Sequence, residues 1–201
     1  MNTTRTVYTV GHSNGSVQRL LALLAQHQIG AVADVRSRPY SRFSPQFNRP
    51  DLSRTLAQNG MSYVFLGREL GARCQDPACH VGGRVIYSLV AKTPLFASGI
   101  RRLELGMQSF RLALLCAEKE PLACHRSILI GRYLHERNVR VRHILEDGAI
   151  EDQAALVRRL LATLGMPETD LFRSPEELSA DAYELQAQRI QFVAATTPAS
   201  D

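Results

Sequence analysis

Leu114-Leu115-Cys116-Ala117-Glu118-Lys119-Glu120-Pro121-Leu122-Ala123-Cys124-His125-Arg126 is the stretch around which this chain is organised. The run Leu112-Ala113-Leu114-Leu115 leading into it is short, continuous and apolar. That pattern suits a strand buried on both faces of a parallel sheet. The run opens into a polar loop, Pro121 stops regular pairing, and Cys124-His125-Arg126 falls near the first turn of a following helix. Free backbone N–H groups and the helix dipole favour an anion there. A thiol in such a place can be acidified, and an arginine grips a phosphate or carboxylate with two parallel N–H groups. The competing account makes Cys116 an ordinary buried thiol and leaves Glu118 and Lys119 as solvated loop charges.

Outward from this stretch, the same alternation of strand and helix repeats. Thr6-Val7-Tyr8-Thr9-Val10 reads as a strand, Ser16 as a helix cap, and Val17, Leu20, Leu21 and Leu24 as a helical stripe. Ala31-Val32-Ala33 and Ser62-Tyr63-Val64-Phe65-Leu66 are further strands, with a helix from Pro50 to Gly60 between them. Gly67 to Tyr87 reads as one long loop, Thr93-Pro94 opens a helix, and Val139 to Leu145 is a fifth strand. Helices are expected from about Cys124 to Arg137, from Ile150 to Leu164, and from a capping box at Ser174-Pro175-Glu176-Glu177 to about Ala194. The expected fold is a three-layer α/β domain with a mainly parallel sheet of about five strands, plus C-terminal helices. Residues 1–148 form the α/β part, 149–195 a helical appendage of the same domain, and 196–201 a frayed tail.

The 201 residues are 45% hydrophobic and 21% charged, a globular composition. No apolar run approaches the ~20 residues that span a bilayer, so no membrane role is expected. The start runs directly into a strand with no signal peptide. A cytoplasmic protein is therefore expected, with its four cysteines as reduced thiols or ligands. The net charge of +5 is carried almost wholly by arginine, since lysine occurs only at positions 92 and 119. A GC-rich coding sequence would produce the same skew, so the placement of the arginines carries more information than their number.

In parallel sheets the ligand crevice lies outside the carboxyl ends of the strands. Gly11-His12-Ser13, Asp34-Val35-Arg36, Gly67-Arg68-Glu69 and Cys116-Ala117-Glu118 each follow such an end. At these residues the chain resembles the DUF488 family, proteins of unassigned function named only as a domain. The matching motifs are Val10-Gly11-His12-Ser13, Asp34-Val35-Arg36-Ser37-Arg38-Pro39, Leu66-Gly67-Arg68-Glu69-Leu70-Gly71, Cys116 to Pro121, Cys124-His125-Arg126 and His143-Ile144-Leu145. The resemblance covers roughly residues 6 to 150, implies an α/β domain, and brings no established reaction or cofactor.

A cysteine phosphatase is excluded: neither Cys116 nor Cys124 stands in Cys-x5-Arg spacing. The glycine-rich nucleotide-binding patterns are absent too. Cys74, Cys79, His80, Cys116, Cys124 and His125 are soft enough for zinc, but their spacing is wide; isolated loop cysteines are the preferred account, and no metal or cofactor is assigned. His12, Asp34, Glu118 and His125 are the acid–base candidates, with Cys116 and Cys124 as nucleophiles. Asp34 shares a face with Arg36 under strand alternation, either pairing with it or orienting it toward an anion. Ser13, Arg36, Ser37, Arg38, Arg68 and Arg126 are the substrate-binding candidates. The expected function is an enzyme or binder of a phosphorylated or nucleotide-like anion. The alternative is a non-catalytic nucleic-acid-binding protein, suggested by Tyr40, Phe43 and Phe47 interleaved with arginines between Arg36 and Arg54. The final helix either packs across the domain or supports a homodimer.

Overall fold

The computed structural model describes residues 5–193. The strands are β1 (Thr6–Gly11), β2 (Ala31–Asp34), β3 (Ser62–Phe65), β4 (His80–Val81), β5 (Arg84–Val85), β6 (Leu112–Cys116), β7 (Arg140–Ile144) and β8 (Ile150–Asp152). Between them run α1 (Val17–Gln26), α2 (Arg49–Gln58), α3 (Gly67–Leu70), α4 (Tyr87–Val90), α5 (Pro94–Ser109), α6 (Arg132–His135), α7 (Gln153–Leu164) and α8 (Pro175–Ile190). Six strands make one sheet in the order β3-β2-β6-β1-β7-β8. β1, β2, β3, β6 and β7 pair in parallel, and β8 joins β7 antiparallel at the edge.

Every residue of β6 is buried, as a strand covered on both faces requires. On one face, Leu20, Leu23 and Leu24 of α1 and Leu52 and Leu56 of α2 pack on Tyr8, Val10, Val32, Ala113 and Leu115. On the other, Phe96, Ile100 and Leu103 of α5, Leu156 and Leu160 of α7, and Leu178 and Ala182 of α8 pack on Val7, Ala33, Leu114 and Val141. The result is the expected three-layer α/β fold, with the C-terminal helices seated in the second core. Their ends follow local rules. Ser16 caps α1 by accepting from Arg19 N, and Ser174 and Glu177 complete a capping box on α8. Gly165, at φ 70°, closes α7 in the left-handed conformation.

Four expectations are corrected. The helix expected from Ile150 begins only at Gln153, because Ile150–Asp152 pairs with β7 (His143 opposite Glu151) and adds a sixth strand at the edge of the mainly parallel sheet. The turn at Asp147-Gly148, with Gly148 at φ 88°, brings it back. The helix after Cys124 starts as a π-helical segment, Arg126–Gly131, and becomes α-helical only over α6. The loop from Gly67 to Tyr87 is not structureless: it holds α3 and the β4–β5 hairpin. α8 ends at Ile190, short of the expected Ala194: Gln191 to Val193 leave the helix and Val193 bridges to Arg84; Ala194 and the expected frayed tail lie outside the described residues. Among those residues no helix is long and apolar enough to cross a membrane.

β6 lies between β1 and β2. Its chain leaves toward the face covered by Ile128, Ile130 and Leu134, whereas β1 and β2 send theirs to the face covered by α1 and α2. The carboxyl ends of β1, β6 and β2 therefore border the place where the winding reverses, the usual position of a ligand crevice in such sheets.

Candidate functional site

At the end of β6 four side chains converge. The thiols of Cys116 and Cys124 both donate to one carboxylate oxygen of Glu118, at 2.9 and 3.1 Å. Nδ1 of His125 lies 3.6 Å from Cys116 Sγ and 3.9 Å from Cys124 Sγ. Its other ring nitrogen lies 3.1 Å from the carbonyl of Val35. A carbonyl only accepts, so Nε2 carries hydrogen. Both thiols and the imidazole are buried, while Glu118 sits at the surface and turns its carboxylate inward. Burial alone would raise the Cys124 thiol, but the Cys116 hydrogen bond, the Arg126 charge and His125 hold it well below its ordinary value. Burial and the bond to Cys124 push Cys116 the opposite way. Burial and the neighbouring Cys124 raise Glu118.

The close approach of β1 to this loop depends on Gly11. A Cβ there would stand 1.9 Å from the Glu118 carbonyl oxygen. His12 and Ser13 then tie their amides to the carbonyls of Cys116 and Ala117, at 3.0 and 2.9 Å.

His12 faces β2. Arg36 donates to its Nε2 at 3.0 Å, so the ring hydrogen is on Nδ1, 2.6 Å from the Ser13 carbonyl. The ring stacks on Phe47, centroids 4.1 Å apart. Burial, then Arg36, lowers His12 to about 4, so it stays neutral near pH 7. Asp34 and Arg36 pair with each other through two hydrogen bonds of 2.9 and 2.6 Å, and the Tyr63 hydroxyl donates to the same carboxylate at 2.7 Å. Arg36 also reaches the Phe47 carbonyl at 2.9 Å.

Arg126 is fully buried. It donates to the carbonyls of Glu118 and Lys119, the latter at 2.9 Å, and to Thr9 Oγ1 at 3.3 Å. From Thr9 a chain of hydrogen bonds continues through His143 (2.9 Å) and Gln153 (2.8 Å) to Tyr183 on α8 (2.6 Å). Burial lowers His143 to about 4, against the opposing effect of its bond to Gln153.

Of the sequence-predicted residues, Cys116, Glu118, Cys124, His125 and Arg126 form one cluster, and His12, Asp34 and Arg36 an adjoining network. Ser13 shares the His12 loop, at φ 52°. Ser37 and Arg68 lie instead on a cleft of about 620 Å3 beside the ends of β2 and β3, and Arg38 is exposed on the surface. Sequence reasoning missed the parts played by Thr9, Phe47, Tyr63, Arg73, His143, Gln153 and Tyr183. Phe47, among arginines, the His143 motif, and Ala182-Tyr183, which is similar to the tail of the DUF488 family, carried signals that could have marked them.

These features define an α/β protein with a cluster of buried polar side chains where the sheet reverses its winding. Residues 16–133 match the family model described as domain of unknown function DUF488, and the chain belongs to that family. Searches of curated proteins and of solved structures return no match.

Proposed function

We propose that this protein binds a phosphorylated or nucleotide-like anion in the cleft beside the carboxyl ends of β2 and β3. The observation that carries this reading is the pair Arg68 and Arg73 on that cleft. Both are exposed, and neither is bonded to a carboxylate among the described residues. Arg73 rests its guanidinium 4.4 Å over the Phe192 ring, which orients its N–H edge without consuming it. The Ser37 hydroxyl accepts from Arg73 N at 3.0 Å and keeps its own hydrogen to donate. Phe65 adds an aromatic surface, and the volume matches small-molecule sites. Arg36 and Arg126 have a different part: their donors are taken up by Asp34, His12, Thr9 and backbone carbonyls. They hold the strand ends in place. Acid–base work on a bound molecule would fall to His12, while Glu118 and His125 are engaged with the two thiols. A cytoplasmic setting suits the four free thiols.

Isothermal titration with nucleotides, sugar phosphates and inorganic phosphate tests the reading. A phosphate-bearing member should bind saturably, and Arg68→Ala and Arg73→Ala should each weaken it about tenfold or more, the scale of one charged hydrogen bond. Binding untouched by both substitutions, or none across the panel, refutes it. A second reading, single-stranded nucleic acid, is favoured by exposed Tyr40 and Phe43 beside exposed Arg38 and Arg42. Oligonucleotide binding that falls steeply with salt and with Phe43→Ala would support it.

A further inference from the structure

We propose that Cys116, Glu118, Cys124 and His125 form a binding site for a zinc-type divalent metal ion. The ligand atoms of all four lie within 4.8 Å of one another. Around tetrahedral zinc, with bonds of about 2.0–2.3 Å, donor atoms stand roughly 3.3–3.8 Å apart. Four of the six donor–donor separations, 2.9, 3.1, 3.6 and 3.9 Å, bracket that range, and the other two are no longer than 4.8 Å. Drawing the donors in by up to about 1 Å around a central ion completes the geometry.

Three further observations support the same assignment. The first is the orientation of His125. The Val35 carbonyl holds the hydrogen on Nε2 and leaves the Nδ1 lone pair facing both sulfurs. Outer-shell carbonyls fix metal-ligating histidines in this way. The second is charge. Two thiolates and a carboxylate around a divalent cation leave one net negative charge. Arg126, fully buried and donating to Thr9 and two backbone carbonyls, supplies the balancing positive charge and pins the loop that carries Glu118. The third is the asymmetry of burial. Three donors are buried, and the fourth, Glu118, belongs to a surface residue. Three enclosed ligands with one position toward solvent is the arrangement of a site whose fourth ligand can exchange for water or substrate. Two sulfurs and an imidazole select zinc or cobalt over magnesium or calcium.

This assignment stands apart from the anion cleft and does not depend on it. Cys74 and Cys79 lie outside the cluster and serve as internal controls. Binding replaces the hydrogens of Cys116 and Cys124 with the metal, so about two protons should leave per ion at a pH where both thiols are protonated.

The test is cobalt(II) titration of chelator-treated full-length protein, read by absorbance. One equivalent should produce a thiolate-to-cobalt charge-transfer band and intense tetrahedral d–d bands, both abolished by zinc(II). Cys74→Ser and Cys79→Ser should retain the spectrum, Cys116→Ser and Cys124→Ser should lose it, and Glu118→Gln should weaken binding about tenfold or more while keeping the charge-transfer band. Should the cysteine variants fail to fold, alkylation of the wild-type protein decides: zinc should protect Cys116 and Cys124 while Cys74 keeps its metal-free labelling rate. A cobalt spectrum with no thiolate band, one that survives in both Cys116→Ser and Cys124→Ser, or equal labelling of Cys116 and Cys124 with and without zinc overturns the proposal.

Discussion

His143 should make this protein lose stability between pH 7 and pH 5, and His143→Gln should remove that part of the loss. The imidazole is fully buried between Thr9 and Gln153. Burial lowers it from 6.5 to about 4. The folded state therefore resists protonation while the unfolded chain, with an ordinary histidine, accepts it. As pH falls below 6.5 the unfolded state binds the extra proton first, so stability declines; below about pH 4 both states are protonated and the decline from this group ends. At 1.36 kcal/mol per unit, the full shift corresponds to about 3 kcal/mol. The part expressed between pH 7 and pH 5, above the main carboxylate range, is about 2 kcal/mol. His12, also lowered to about 4, adds a parallel slope, which cancels when the variant is compared with the wild type. The chain has no tryptophan, so urea unfolding followed by far-UV circular dichroism is the suitable assay. His143→Gln should be less stable at pH 7, having lost a shaped hydrogen-bond partner, yet its pH slope should be flatter by about 2 kcal/mol over the window. Identical slopes in the two proteins would refute the reasoning.

Two further outcomes follow from the same geometry. Asp34→Ala should cost about 3–5 kcal/mol in urea unfolding, because Arg36 is then left buried without its carboxylate; a loss under about 1 kcal/mol would mean that His12 and Phe47 satisfy Arg36 unaided. Gly11→Ala drives a methyl group into the Glu118 carbonyl and should cost about 1–3 kcal/mol by thermal melting. It should also weaken cobalt binding by shifting the Glu118 loop, and unchanged stability would show that β1 and this loop separate freely.

The fold was legible wherever burial dictated composition. β6 must be apolar throughout, and Leu112 to Leu115 is. The capping box at Ser174 announces α8 because its hydrogen bonds are local in sequence. β8 was not legible: three residues are too few for a period, and Ile150–Asp152 is a strand only because β7 offers a backbone edge. The π-helical start after His125 depends on packing in the same way. Within the candidate site, the separate motifs around His12, Asp34 and Cys116 were visible, since each follows a strand. Their grouping was not, because it depends on strand order, which sets β6 between β1 and β2. The arginines were misjudged for a related reason. Backbone carbonyls engage Arg126 and Arg36, and such acceptors carry no residue signature. Arg73, by contrast, reaches its cleft from a loop whose course no periodicity describes.

The buried chain from Arg126 to Tyr183 has a direction. A guanidinium only donates, so Thr9 accepts from Arg126 and gives its own hydrogen to His143 Nδ1. His143 must then donate from Nε2 to Gln153 Oε1, and the Gln153 amide donates onward to the Tyr183 oxygen. Every link points from Arg126 toward α8: the Gln153 oxygen only accepts, which puts the hydrogen of the neutral His143 ring on Nε2 and leaves Nδ1 to accept from Thr9. A relay that conducts protons must be able to turn over, and an amide in its middle cannot pass one along. This line of side chains is therefore a brace and not a relay: it ties α8, through Tyr183, to the strand that carries Thr9 and to the buried Arg126.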